Sequence, residues 1–312
     1  MSEDTVGTTK RETLGWSYGG QAIIEGVMMR GKYNAAIAVR APAGGPEGAI
    51  IVKQEPLGNF YRGFFSKVPF LRGIPLLWDS LGLGMKALFF SAEVVGQAED
   101  PDFKMSGGMG FATGALGLLG GAALFMVLPS FLAGLIIPKG ALLFNIIEGL
   151  IRLCLLIGYI TAVGQMEDIR RVFAYHGAEH KTINAHEAGA PLTVESVRTF
   201  STTHARCGTA FLLIVVFISI LVFAPLGRPA FWIRIASRLL LLPVIAGIAY
   251  EVLRFTGKHA RNPIIRAIIT PNLALQRLTT REPDDGMIEV AITALETVLA
   301  GETDFQQEMH TV

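Results

Sequence analysis

Phe111-Ala-Thr-Gly-Ala-Leu-Gly-Leu-Leu-Gly-Gly-Ala-Ala-Leu-Phe-Met-Val-Leu-Pro-Ser-Phe-Leu-Ala-Gly-Leu-Ile-Ile137 runs for 27 residues without a charge. At about 1.5 Å per residue, roughly 20 helical residues cross the hydrocarbon core of a bilayer, so this stretch spans with tilt to spare. Gly110, Gly114, Gly117 and Gly121 form two small-x-x-x-small pairs. Such a face lets a second helix approach closely, so it is the expected contact for a homo-oligomer or another membrane protein.

Three further spans follow outward from this one. Pro138-Lys-Gly140 makes a turn and Leu142 to Val163 returns as a second span, so 106–164 reads as a transmembrane hairpin (spans 111–137 and 142–163). Residues 210–255 read as a second hairpin (spans 210–226 and 231–255), turning at Pro225, Gly227 and Pro229. Arg234 and Arg238 at the start of the last span are expected to snorkel toward the headgroups. The whole chain of 312 residues is 51% hydrophobic and only 17% charged, with a mean hydropathy of +0.46. A soluble domain of this size carries nearer a quarter charged residues. The net charge of +1 favours no nucleic-acid partner. The fold class expected is therefore mainly α: a polytopic membrane protein with about four transmembrane helices and the lipid bilayer as its principal partner.

The remaining segments are polar. Residues 1–16 read as a disordered tail without an apolar h-region, so no cleaved signal peptide is expected. Residues 17–105 read as a cytoplasmic β-rich unit followed by an amphipathic helix. Tyr33 to Val39 and Ala49 to Lys53 flank a Gly/Pro-rich loop and suit strands. From Phe60 to Gly96, Ile74, Leu77, Trp78, Leu81, Met85 and Leu88 recur at helical spacing, with Asp79, Lys86 and Glu93 on another face. With Arg62, Lys67 and Arg72 beside aromatic residues, this helix suits the headgroup layer. Packing on its own cytoplasmic unit is the competing reading, and a fifth span a minor one. Residues 165–209 are a cytoplasmic segment rich in histidine. The tail 256–312 reads as a loop from Asn262 to Pro283 and a short amphipathic helix from Asp284 to Leu299. Lysine and arginine number eleven before the first span, five in the central segment and six beyond the fourth span's core (from Arg254 on), against four near the two short turns. The positive-inside rule then places both termini in the cytoplasm of a cell-membrane protein.

Chemistry concentrates in the central segment. Tyr175-His-Gly-Ala-Glu-His-Lys181 puts His176, Glu179 and His180 at i, i+3 and i+4, one face of a helix, although Gly177 weakens a helix there. Two imidazoles with a neighbouring carboxylate at H-x-x-E-H spacing suit a divalent transition metal, zinc above all, with Glu179 as base. His204-Ala-Arg-Cys207-Gly208 offers a third and fourth ligand. Four ligands close the tetrahedron and make the site structural; three leave a position open for chemistry. Glu251, His186, Glu187 and His259 are weaker candidates, and Glu25 and Arg30 are near enough in motif to reach the cluster. Hydrogen bonding of these histidines to backbone, and of Glu179 to Lys181 or Arg170, is the plain alternative. Glu148 and Arg152, four apart inside the second span, form an intramembrane ion pair whose structural role outweighs a transport role. Cys154 lies in an apolar run and Cys207 in a polar loop, so no disulfide framework is expected.

Four separated motifs, Gly19-Gly-Gln-Ala-Ile-Ile-Glu-Gly-Val-Met-Met-Arg-Gly31, Tyr175–Lys181, His204–Gly208 and Leu278-Thr-Thr-Arg-Glu-Pro283, resemble the YqhQ-like family over about residues 16–300. These are bacterial membrane proteins of unknown function, often labelled a predicted metal-dependent enzyme. The resemblance implies a metal-binding inner-membrane protein and supplies no substrate. Two departures stand out. Asn184 and His186 occupy positions where the family commonly has cysteine and tyrosine, and the family's His-Pro-Arg-Cys reads His-Ala-Arg-Cys here. A metal-dependent hydrolase at the cytoplasmic face, a non-enzymatic scaffold with a structural metal, and a small transporter are the functions these residues leave open.

Overall fold

A computed structural model describes residues 18–42, 48–57, 68–70, 72–98, 100–137, 140–260 and 262–311. The tail over 1–16, the basic and aromatic residues at 60–67, and Pro138 and Lys139 of the first turn lie outside the described residues, as do the side chains at 74–79. Four strands form an antiparallel meander: β1 (Gly19–Ile23), β2 (Gly26–Arg30), β3 (Asn34–Arg40) and β4 (Ile50–Pro56), in sheet order β1-β2-β3-β4. The glycine-rich motif at 19–31 is thus a hairpin, with Glu25 at φ 49° in its tight turn.

The central strands β2 and β3 are buried on both faces, and the strand period of two divides their residues. Val27, Met29, Ala36 and Ala38 face α5 (Glu167–Glu187) and α10 (Asp285–Thr311), meeting Tyr175, Ala178, Ile288, Ala291 and Leu295. Met28, Ala35, Ile37 and Val39 face α1 (Gly73–Gly96), meeting Leu83, Ala87 and Val94. Each large apolar side chain buried there contributes about 1.5–3 kcal/mol. α1 therefore packs on the N-terminal sheet through one stripe, while Leu81 and Leu88 stay exposed. Its first residues meet α8, where Arg72 pairs with Glu251, so the helix bridges the sheet and the spans.

Four helical stretches among the described residues are long and apolar enough to cross a membrane: Gly107–Ile136, Leu142–Val163, Gly208–Leu226 and Phe231–Lys258. They correspond to α2 (Gly107–Ala122) running through a π turn (Ala123–Val127) into α3 (Leu128–Ile136), then α4 (Ala141–Val163), α7 (Gly208–Phe223) and α8 (Phe231–Lys258). This is a membrane protein. Leu116, Leu118, Leu119, Trp232 and Leu240, each at least two-thirds exposed, form the lipid-facing belt. The small-residue face of α2 is divided. Gly110 and Gly114 are occupied by Phe89 and Met85 of α1, whereas no described residue comes within 4 Å of a Cβ at Gly117 or Gly121.

Three expectations are corrected. The region 262–283 holds a helix, α9 (Pro263–Thr279), started by Asn262, whose side chain accepts from Ile264 and Ile265 N–H, with Pro263 at the first position. The last helix continues well past Leu299, to Thr311. Arg234 and Arg238 do not snorkel: Arg238 is 0% exposed and Arg234 5%, both turned into the bundle.

Inside the bundle, Glu148 accepts from Arg152 at 2.9 Å and from Arg238 at 2.6 Å, so the expected i,i+4 pair is part of a larger network. Arg238 also donates to Asn145 and Arg152 to Ser219, which ties α4, α7 and α8 together. The π turn belongs to the same network. Pro129 has no N–H to give the carbonyl of Phe125 four residues earlier, and Arg152 Nε donates to that carbonyl at 2.8 Å.

Candidate metal centre

α5 begins with Glu167 and Asp168 in its first turn, favourable to the helix dipole, and buries Tyr175, Ala178, Ile183 and Ala185 on the sheet side. This sets His176, Glu179 and His180 on the adjoining face, with Glu179 against Gly20 of β1. His176 Nδ1 donates to the Thr279 carbonyl at 2.9 Å and His180 Nδ1 to the Thr202 carbonyl at 2.6 Å. Neutral rings held this way carry their lone pairs on Nε2, the tautomer that ligates metal. His176 Nε2 lies 3.2 Å from Cys207 Sγ, and His180 Nε2 is buried with no hydrogen-bond partner among the described residues. The three ligand atoms of His176, His180 and Cys207 lie within 4.8 Å of one another. Tetrahedral zinc with two imidazoles and a thiolate needs ligand atoms about 3.3–3.5 Å apart. The cluster fits such an ion with small side-chain adjustments, and the orphaned His180 nitrogen is the observation on which that fit rests.

Glu179 is 5% exposed, and its carboxylate stands 3.9 Å from His176 Nε2. It packs against Gly20 of β1: a Cβ there would meet Glu179 Cγ at 2.9 Å and the Met28 carbonyl at 2.7 Å. Lys181 does not pair with Glu179. Its Nζ donates to the carbonyls of Arg198 and Phe200 and to Glu282, which pins the chain after α6 (Val194–Val197) against α5.

The other candidates are placed differently. His204 is adjacent to the cluster, its ring 5.9 Å from that of His180, with Nε2 toward Glu187 at 3.4 Å. Burial pushes its pKa below the ordinary histidine value, and the Glu179 carboxylate opposes that only in part. Glu187 pairs with Arg206. His186 stacks edge-on to Tyr18 at 5.1 Å. Glu25 pairs with Arg171 and accepts from the Tyr175 hydroxyl; Glu251 pairs with Arg72, and His259 bonds its own helix at the Phe255 carbonyl. None of these six belongs to the three-residue cluster.

Residue-type reasoning alone missed the groups that orient the ligands, because most of them act through backbone atoms. Thr279 and Thr202 contribute carbonyls, and Gln276 exchanges two hydrogen bonds with the backbone of His204. The signal that pointed there was the Leu278–Pro283 motif. Thr279 holds His176, the Arg281 carbonyl sits where a Gly177 side chain would be, and Glu282 pairs with Lys181. Gly177 therefore does not break the helix; it admits the strand-like Thr280–Asp284 connection against it.

All four motifs thus converge on one face of α5. A family model described as "Protein of unknown function (DUF1385)" matches residues 68–301. The chain is also 36% identical over 300 residues, covering 91% of this chain and 92% of the relative, to the uncharacterized protein YqhQ of Bacillus subtilis (strain 168). No solved structure matches. The chain belongs to the DUF1385 family, of which YqhQ is a relative.

Proposed function

We propose that this membrane protein holds one divalent transition metal, zinc by its donor set, between His176, His180 and Cys207, and uses it for hydrolysis at the cytoplasmic membrane face. The carrying observation is the buried, unpartnered Nε2 of His180, in a ring whose other nitrogen is fixed on a carbonyl. A buried imidazole nitrogen without a partner is costly, and a cation supplies the missing one. When bound, such an ion supplies Lewis acidity and a fourth coordination position. Glu179 is the proton acceptor: it is the carboxylate nearest the ligand atoms, and Gly20 leaves room for it. His176 and His180 hold their tautomers through Thr279 and Thr202, so the ligands are oriented before any cation arrives.

The test is metal content of the detergent-purified protein. About one equivalent is expected in the wild type and in Glu179→Gln, and a loss of at least about tenfold in affinity in His176→Ala/His180→Ala, as for removal of direct ligands. An unchanged metal content in the double variant rules the site out. A second reading, a closed structural site in a scaffold, is favoured by the burial of His204 beside His180. It requires His204 as fourth ligand, so His204→Gln then releases the metal, whereas the hydrolase reading retains it.

A further inference from the structure

We propose that α9 is an in-plane membrane helix: the exposed apolar face of its first half beds into the acyl chains of the bilayer, on the side of the candidate metal cluster. The occupant of that face is lipid, and the inference stands whether or not the cluster holds a metal.

Both ends of α9 are tied to one level of the protein. Gly257, one residue before the end of α8, lies against the Arg206 side chain, and Asn262 starts α9 only five residues later. At the far end the Thr279 carbonyl holds His176, and Gln276 exchanges hydrogen bonds with the backbone of His204. His204 and Arg206 belong to the segment just before α7, so both anchors lie where that span begins. A helix of 17 residues is about 25 Å long, and with its ends at one level it runs along the membrane rather than across it.

Its apolar residues form one stripe with two fates. Ile264, Ile268, Pro271 and Leu275 stand at i, i+4, i+7 and i+11, on one face of the helix. Leu275 is buried with Leu156 and Ile160 of α4 and Val216 of α7. Val216 is eight residues into α7, roughly 12 Å along its axis, so the stripe points into the apolar layer. Toward its beginning the stripe continues past these helices: Ile264 is 70% exposed, Ile268 60%, and Pro271 is exposed too. Ile157 of α4 and Leu212 of α7, beside that buried cluster in sequence, are exposed as well. The stripe thus extends the lipid-facing surface of the spans. In water it would be an apolar patch without compensation.

The polar residues fall where this orientation requires them. Arg266, Thr270 and Arg277 are exposed on the opposite face. Gln276 and Thr279, on the arc between the two faces, are buried toward His204 and His176. An apolar face opposite exposed arginines is the pattern of a helix seated in the headgroup layer, its apolar side roughly 5–10 Å into the headgroup and acyl boundary. The arginine stems then lie along apolar surface while their guanidinium groups stay among headgroups and water.

The experiment places a nitroxide label at Ile264→Cys, Ile268→Cys, Thr270→Cys or Arg277→Cys of the full-length protein, carrying Cys154→Ser and reconstituted in phosphatidylcholine nanodiscs. All four sites are exposed, and the Cys154→Ser parent, whose Cys207 is buried, gives the background. Variants that keep the parent's Tm are read by EPR collision with oxygen, which concentrates in the acyl layer, and with a water-soluble nickel chelate. The oxygen-to-nickel ratio is expected to be at least about threefold higher at Ile264→Cys and Ile268→Cys than at Thr270→Cys and Arg277→Cys. Equal ratios at the four positions put α9 in water and overturn the proposal. Low collision with both agents at Ile264→Cys and Ile268→Cys also overturns it, because a second copy or another protein surface then covers the face.

Discussion

A Cβ at position 177 would sit 2.1 Å from the carbonyl oxygen of Arg281. Alanine improves helix propensity by about 1 kcal/mol, but backbone cannot retreat as a flexible side chain can. Gly177→Ala is therefore expected to lower stability by about 1–3 kcal/mol, read as a fall in Tm in detergent, and to weaken metal retention because Thr279 moves with Arg281. An unaltered Tm contradicts the contact. His204 gives the pH dependence at this scale. Burial holds its pKa below the ordinary value in the folded protein, whereas the unfolded chain titrates near 6.5. As pH falls below about 6.5 the unfolded state takes up the proton first, so stability present above that value is lost on acidification. The loss of Tm between about pH 7.5 and 5.5 should shrink in His204→Gln; an identical loss assigns the titration to other groups.

At the scale of elements, the polar network decides how the spans dock. Glu148 receives two arginines from different helices, so breaking one partnership leaves a buried charge uncompensated. Glu148→Gln is expected to cost about 3–5 kcal/mol, with Glu148→Gln/Arg238→Gln costing clearly less than the sum of the single variants. Strict additivity in a detergent unfolding cycle would mean that the two do not interact. At α9, Asn262→Ala removes the side chain that accepts from two N–H groups and should cost about 1 kcal/mol. The sequence carried that start signal, Asn followed by Pro before an apolar run. Pro271, a residue that ordinarily interrupts a helix, falls within this one at an exposed position. Arg238 was misread for a related reason. A cation near a helix end snorkels by default, and only the position of Glu148 on the facing helix reverses that.

At the scale of the whole molecule, the sheet, α5 and α10 form one body at the end of the bundle opposite the hairpin turns. From the lysine and arginine distribution we propose that this body lies in the cytoplasm. Ala230→Cys, in the exposed turn between α7 and α8, should then react with a membrane-impermeant maleimide in intact cells. Glu195→Cys, in α6 close before the His204–Cys207 loop, should react only after permeabilisation; the reverse pattern inverts the topology and moves the candidate metal centre to the other face.

Four spans could be read from sequence because lipid imposes a one-dimensional rule: about twenty uncharged residues, whatever their neighbours. The strands at 34–40 and 50–56 and the pairing of His176 with His180 on one helix face are also local properties, set by periods of 2 and 3.6. Which third ligand joins them is not local. Cys207 reaches His176 because Lys181 draws the chain after α6 onto α5, and Gln276 of α9 holds His204 in place. Charge runs and periodicity specify where a segment sits, but contacts between residues tens of positions apart are fixed only when packing chooses one docking, and there only the tertiary structure decides.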